Sequence, residues 1–189
     1  LVALFISYIE TELIRLTYSM IILIIGASGA GTSTLAAALE NAVGFKHVEA
    51  DDYYWLPTLP PFQAKRDRVE RLSAITEKLA SLPNAVVAGS ILEWGEELEN
   101  SFDLIVFLYL PADIRMARII QREIERFGKV DATFLSWASQ YDEGIQTGRS
   151  LARHQNWLGQ RSCPILHLDG DISVDERVRL VRNALADLA

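Results

Sequence analysis

The stretch "IILIIGASGAGTSTLAAALE", residues 21–40, constrains this chain more than any other. An unbroken apolar run meets a burst of glycine and small polar residues, and an alanine-rich segment follows. The first block suits a strand buried on both faces, the second a tight loop, and the third a helix. The loop matches G-x-x-x-x-G-K-[ST] at Gly26, Gly31 and Ser33, but Thr32 stands where that pattern has lysine. With Ala27, Ser28, Gly29, Ala30 and Thr34, these residues form a candidate cradle in which backbone N–H groups converge on phosphate oxygens. A lost charge-assisted contact is worth about 1.5–3 kcal/mol, roughly 10- to 100-fold in affinity. The cradle survives that loss, but another cation has to cover it during any transfer of charge.

Two other readings compete. One is a glycine-rich turn that binds nothing. The other is an NAD(P)-binding reductase, because Asp51 lies twenty residues past Gly31, about where a ribose-binding acid belongs. Against the second, G-x-x-G-x-G is not the dinucleotide fingerprint, no Tyr-x-x-x-Lys pair exists, and 189 residues are few for two functional halves.

The rest of the chain alternates in the same way. Apolar strand-like runs fall at 20–25, 45–50, 85–89, 103–109 and 164–168, with helical periods at 33–42, 66–81, 111–127 and 173–188 between them. This alternation predicts an α/β fold with a parallel sheet. Residues 128–160 carry no strand signal and read as a helical insert. A net charge of −7 argues against a general nucleic-acid or anionic-membrane surface, and one cysteine, Cys163, excludes an internal disulfide. Together these features suit a soluble cytoplasmic protein. Residues 1–19 lack a basic start and include Glu10 and Glu12, so they do not read as a signal peptide. The expectation is that they are an extension upstream of a true start at Met20.

Chemistry concentrates after the second strand and along one helix. "EADDYYWLP" places Asp51 and Asp52 at a strand's carboxyl end, where parallel sheets gather ligands. Asp51 could accept a hydroxyl proton or help hold Mg²⁺, and Tyr53 and Tyr54 could stack on a flat acceptor. No acid follows the third strand, so Ser33 and the Asp51–Asp52 pair are the metal candidates, and Ser90 is a pocket candidate. Arg115, Arg118, Arg122 and Arg126 share one helix face. Arg118 and Arg122 are the candidates to neutralise phosphoryl charge, while Arg115 and Arg126 read as a solvated face. Arg149 and Arg153 lie one turn apart in the insert and could swing onto the phosphates. Lys65, Arg66, Arg68 and Arg71 form a basic cluster that either clamps an acceptor or pairs with Asp67 and Glu70. The three histidines read as structural.

With these residues in view, the chain resembles the P-loop kinases of the adenylate kinase and shikimate kinase type. "GASGAGTST" looks like their phosphate loop, "DDYYW" is similar to the acid–aromatic segment of uridine and nicotinamide riboside kinases, and "RMARIIQRE" resembles the helix leading into their lid. "ILHLDGDISVDERV" looks like their last strand and turn, beside which adenine packs. The chain is also similar to a bacterial subgroup labelled adenylate-kinase-like or AAA-family ATPase, whose loop reads Gly-Thr-[Ser/Thr]-Thr. The resemblance implies a three-layer P-loop NTPase fold, a five-stranded parallel sheet with helices on both faces and a small helical lid. It implies one domain over 20–189, with an acceptor region at 51–71 and the lid at 128–160. It further implies ATP and Mg²⁺, a small-molecule acceptor such as a nucleoside or nucleotide, no nucleic-acid or membrane partner, and a monomer or homodimer. Asp51 takes the base's role, and Arg118 and Arg122 those of lid arginines. The alternative is an ATP-binding regulatory protein that transfers nothing.

Overall fold

The computed structural model describes residues 19–144 and 148–188. The expectation about residues 1–19 therefore falls almost wholly outside the described residues. The elements run β1 (Met20–Gly26), α1 (Thr32–Val43), β2 (Lys46–Glu49), α2 (Ala50–Tyr54), α3 (Arg68–Ala80), β3 (Asn84–Ala88) and α4 (Glu96–Glu99). They continue with β4 (Leu104–Tyr109), α5 (Ala112–Phe127), α6 (Ala132–Ser139), α7 (Leu151–Leu158), β5 (Ile165–Asp169) and α8 (Val174–Ala186). The five strands form one sheet in the order β2-β3-β1-β4-β5, with every pairing parallel.

Alternation along the central strands explains the layers. Leu23, Ile25, Val87, Ile105 and Phe107 point to one face, where they pack with Ile75 and Leu79 of α3 and Trp157 and Leu158 of α7. Ile22, Ile24, Val86, Val106 and Leu108 point to the other, against Leu35 and Leu39 of α1 and Val181 of α8. Both faces are covered, so the interiors of these strands are apolar on both sides, and that is why they read as solid runs.

The topology removes one reading. β1 lies between β3 and β4 and does not touch β2. A dinucleotide-binding half sets β1 directly beside β2 in the order 3-2-1. The reductase alternative is therefore corrected: the loop after β1 opens beside β3 and β4.

Side chains cap several of the helix starts. Asp67 accepts hydrogen bonds from the N–H groups of Val69 and Glu70, and Ser173 accepts one from Glu176. Residues 128–160, expected as one insert, divide into two parts. α6 packs on α5, whereas α7 buries Trp157 and Leu158 in the main core. Among the described residues no helix is long and apolar enough to cross a membrane.

Candidate active site

The loop between β1 and α1 is shaped by two kinds of constraint. Gly29 has φ +84°, and a Cβ built there would stand 2.7 Å from the carbonyl oxygen of Arg115, so both its backbone and its neighbour exclude a side chain. Gly31 takes the N-cap position of α1 in the left-handed conformation, with no side-chain cap on the helix's first N–H groups. These donors stay available, and the helix adds partial positive charge. Ser33 and Thr34 are exposed on the first turn.

Two guanidinium groups flank this loop. A Cβ on Gly31 would lie 3.3 Å from Arg177 Nη1 and 3.9 Å from Arg118 Nη1. Arg118 pairs with Asp171, Nη2 to Oδ1 2.5 Å. Arg177 is only 3 % exposed and donates from Nη1 to the Ala30 carbonyl at 2.9 Å and from Nη2 to the Gly170 carbonyl at 3.2 Å. Burial and the nearby Arg118 charge pull Arg177 below the usual guanidinium range, and Asp171 pulls the other way.

A second cluster of candidate residues forms where β2 and β3 end. Asp51 and Asp52 open the short helix α2, which the strand pattern hides. Gly89 brings the strand ends together: its Cβ would sit 3.0 Å from that of Ala50, so Asp51 and Ser90 are next-door neighbours of a contact pair. Arg149 reaches Asp51 at 3.5 Å and lies over the Trp137 ring. Ser90 Oγ is 3.1 Å from His154 Nε2, and His154 Nδ1 is 2.6 Å from the Tyr141 hydroxyl. Burial, with Arg149 and Arg153 nearby, lowers His154 to about 3, and burial raises Tyr141. At neutral pH the ring is uncharged and the phenol keeps its proton. One ring nitrogen then donates and the other accepts, so Tyr141, His154 and Ser90 form one hydrogen-bonded chain that ends at the serine hydroxyl.

Arg71 completes this wall. Its guanidinium lies beside both the Tyr54 and Trp94 rings, 4.9 and 4.7 Å from their centroids, and its Nε is buried without a partner. The expected pairing of this cluster with Asp67 and Glu70 is not what forms. Asp67 caps α3, Arg68 donates to the Glu93 carbonyl, and Arg66 Nε donates to the Tyr53 carbonyl at 3.2 Å.

The arginine stripe on α5 separates by depth. Arg115, expected in solvent, is 0 % exposed: it donates to the Leu110 and Ala138 carbonyls and pairs with Asp142 at 2.8 Å. The cause is α6 with the turn after it, which covers the first turn of α5. Arg122 turns toward Glu123, at 3.1 Å, and the Phe134 ring. Arg153 pairs with Glu93, as Arg149 does with Asp51. Arg177 was not singled out from the sequence. The available signal was an arginine on the stripe 177, 181, 184, where Val181 is buried.

Among the described residues no group of three or more His, Cys, Asp or Glu side chains is arranged to hold a metal. Ser33 and the 48 %-exposed Asp51 carboxylate offer hard oxygen donors, few in number. Such a set fits Mg²⁺ arriving with phosphates and water, not a resident ion in a protein cage.

Comparison with known proteins agrees with this fold. No family model matches the chain. It is 40 % identical over 173 residues to the uncharacterized protein YqaC of Bacillus subtilis, covering 86 % of this chain and 96 % of that one. Among solved structures, shikimate kinase from Acinetobacter baumannii in complex with shikimate superposes with a TM-score of 0.63 at 12 % identity, over 93 % of this chain and 97 % of that one. A gluconokinase from Sinorhizobium meliloti gives 0.57 at 23 % identity, over 91 % and 94 %. Deoxyadenosine kinase from M. mycoides with bound dATP gives 0.57 at 18 %, over 88 % and 100 %. The chain belongs to the family of Bacillus subtilis YqaC, built on the P-loop kinase fold of the adenylate and shikimate kinase type.

Proposed function

We propose that the chain is an ATP-dependent phosphotransferase acting on a small hydroxyl-bearing acceptor, a nucleoside, nucleotide or similar compound. One observation carries this reading: the phosphate loop after β1 and Asp51 after β2 open on the same carboxyl edge of the sheet, and an insert arginine holds Asp51. ATP phosphates rest on Gly26–Thr34. The acceptor lies toward Asp52, Tyr53, Tyr54, Arg66 and Ser90, with Arg149 and Arg153 beside it. Asp51 accepts the acceptor's hydroxyl proton as that oxygen attacks the γ-phosphorus. The bond from γ-phosphorus to the bridging oxygen breaks, and ADP leaves with that electron pair. Arg118 and Arg122 offset the negative charge spread over the moving group. Ser33 and Asp51 would hold Mg²⁺ with the phosphates, and the ion would supply further charge neutralisation. The Ser90 hydroxyl, held by His154, orients the acceptor.

A second reading is a nucleotide-binding regulator without turnover. It is favoured by Thr32 and by a third strand that is followed by Gly89–Ser90 with no acid. ADP formation from Mg·ATP with pooled nucleosides, nucleoside monophosphates, sugars and hydroxy acids separates the two. Turnover dependent on one pool supports the transferase. Tight Mg·ATP binding with no turnover in any pool supports the regulator.

A further inference from the structure

We infer that Arg177 stands in for the absent loop lysine, as a positioning residue that aims the Gly31 N–H into the phosphate cradle and supplies a fixed positive charge beside it. The inference rests on the nucleotide-binding reading above. Its geometry starts from the peptide unit. The Ala30 carbonyl and the Gly31 N–H belong to one planar trans peptide and point in opposite directions. Arg177 Nη1 draws the Ala30 oxygen to itself at 2.9 Å, on the α8 side. The Gly31 N–H is thereby turned the other way, toward the phosphates. The second arm, on the Gly170 carbonyl at 3.2 Å, ties the loop to the turn after β5. One fork therefore fixes two segments 140 or more residues apart in sequence, a task that suits a planar guanidinium and not an ammonium.

Charge balance points the same way. Arg177 is almost fully buried, yet both its hydrogen bonds go to neutral carbonyls, and its Nε is buried without a partner. The carboxylate that acts on it, Asp171, is already paired with Arg118. Two guanidinium groups thus share one carboxylate beside Gly31, and the excess positive charge is satisfied by an anion on the loop. The position differs from that of a loop lysine, since the charge comes from the last helix and sits beside the loop.

The test measures Mg·ATP affinity by calorimetry on the full chain, with adenosine affinity by competition. Arg177→Gln is expected to weaken Mg·ATP at least about tenfold and to leave adenosine within about twofold. Adding Thr32→Lys to that variant is expected to restore most of the loss. Thr32→Lys alone is expected to gain less than about threefold, because the charge is already present. This arm does not depend on whether Arg177→Gln folds. Equal Mg·ATP affinity in Arg177→Gln, equal losses for Mg·ATP and adenosine, no rescue by Thr32→Lys, or a hundredfold gain from Thr32→Lys alone would each overturn the inference. Wild-type protein that binds no Mg·ATP would instead overturn the nucleotide reading beneath it.

Discussion

Arg149 Nη2 stands 3.5 Å from Asp51 Oδ1, across 98 residues of chain. The pair joins the insert to the end of β2 and directs the carboxylate. If Asp51 takes the acceptor proton, Asp51→Asn removes the base and keeps the shape. Turnover is expected to fall by about 10²- to 10⁴-fold, with metal-free ATP affinity within about threefold. Coupled ADP detection and calorimetry on the same preparation check both. Unchanged turnover removes Asp51 from the role.

His154 gives the fold a pH dependence. It is fully buried and neutral, held between Ser90 and Tyr141, and its value is lowered to about 3 from an unfolded value of 6.5. Between these values the unfolded chain binds a proton that the folded chain refuses. This contribution is therefore complete above about pH 6.5 and is lost as pH falls toward about 3, by up to about 1.4 kcal/mol per pH unit. Urea unfolding at pH 7 and pH 4.5 should show the loss. His154→Gln should flatten the slope relative to wild type, since paired carboxylates titrate alike in both proteins. Equal slopes would mean that the ring titrates normally.

Arg115 is a stability residue. Its guanidinium satisfies two carbonyls and the Asp142 carboxylate, with the Tyr141 ring 5.2 Å away. Arg115→Ala orphans all of them and leaves a cavity, and it is expected to cost about 3–5 kcal/mol. At about 2–4 °C per kcal/mol, Tm should drop by roughly 6–20 °C. Arg126, exposed at the far end of the same helix, is the control. Its alanine variant should stay within about 0.5 kcal/mol by thermal unfolding.

The strands were legible because burial on both faces forces continuous apolar runs, and the phosphate loop because glycine spacing is local. The cations were not legible in the same way. Arg71, Arg115 and Arg177 are each the fourth residue of their helix, and each opens the buried stripe of that helix, before Ile75, Ile119 and Val181. In a parallel α/β sheet, helix starts lie at the carboxyl edge, so arginines at this position are drawn under the site. Helical spacing alone put Arg115 on a face with Arg118 and Arg122, and spacing carries no depth. Asking whether an arginine falls on the apolar stripe would have separated them. The partners stay hidden even then, because Arg177 reaches Ala30 across 147 residues. α2 escaped notice because five residues offer less than two turns of periodicity.

Gly29 and Gly44 separate two costs that usually arrive together. Both have left-handed backbone, φ +84° and +76°, but a Cβ on Gly29 meets the Arg115 carbonyl oxygen at 2.7 Å, whereas a Cβ on Gly44 meets nothing within 4 Å. Gly44→Ala is therefore expected to cost only the backbone preference, about 1 kcal/mol, with Mg·ATP binding unchanged. Gly29→Ala adds a clash with main chain, which cannot swing aside as a side-chain tip can. The loop has to shift, and its N–H groups move off the phosphate positions. Mg·ATP affinity is expected to fall more than tenfold in Gly29→Ala, and urea unfolding should show a stability loss larger than that of Gly44→Ala. Equal losses in both variants, with binding kept, would mean that the loop moves freely against α5, and the cradle would then owe its shape to the nucleotide and not to the fold.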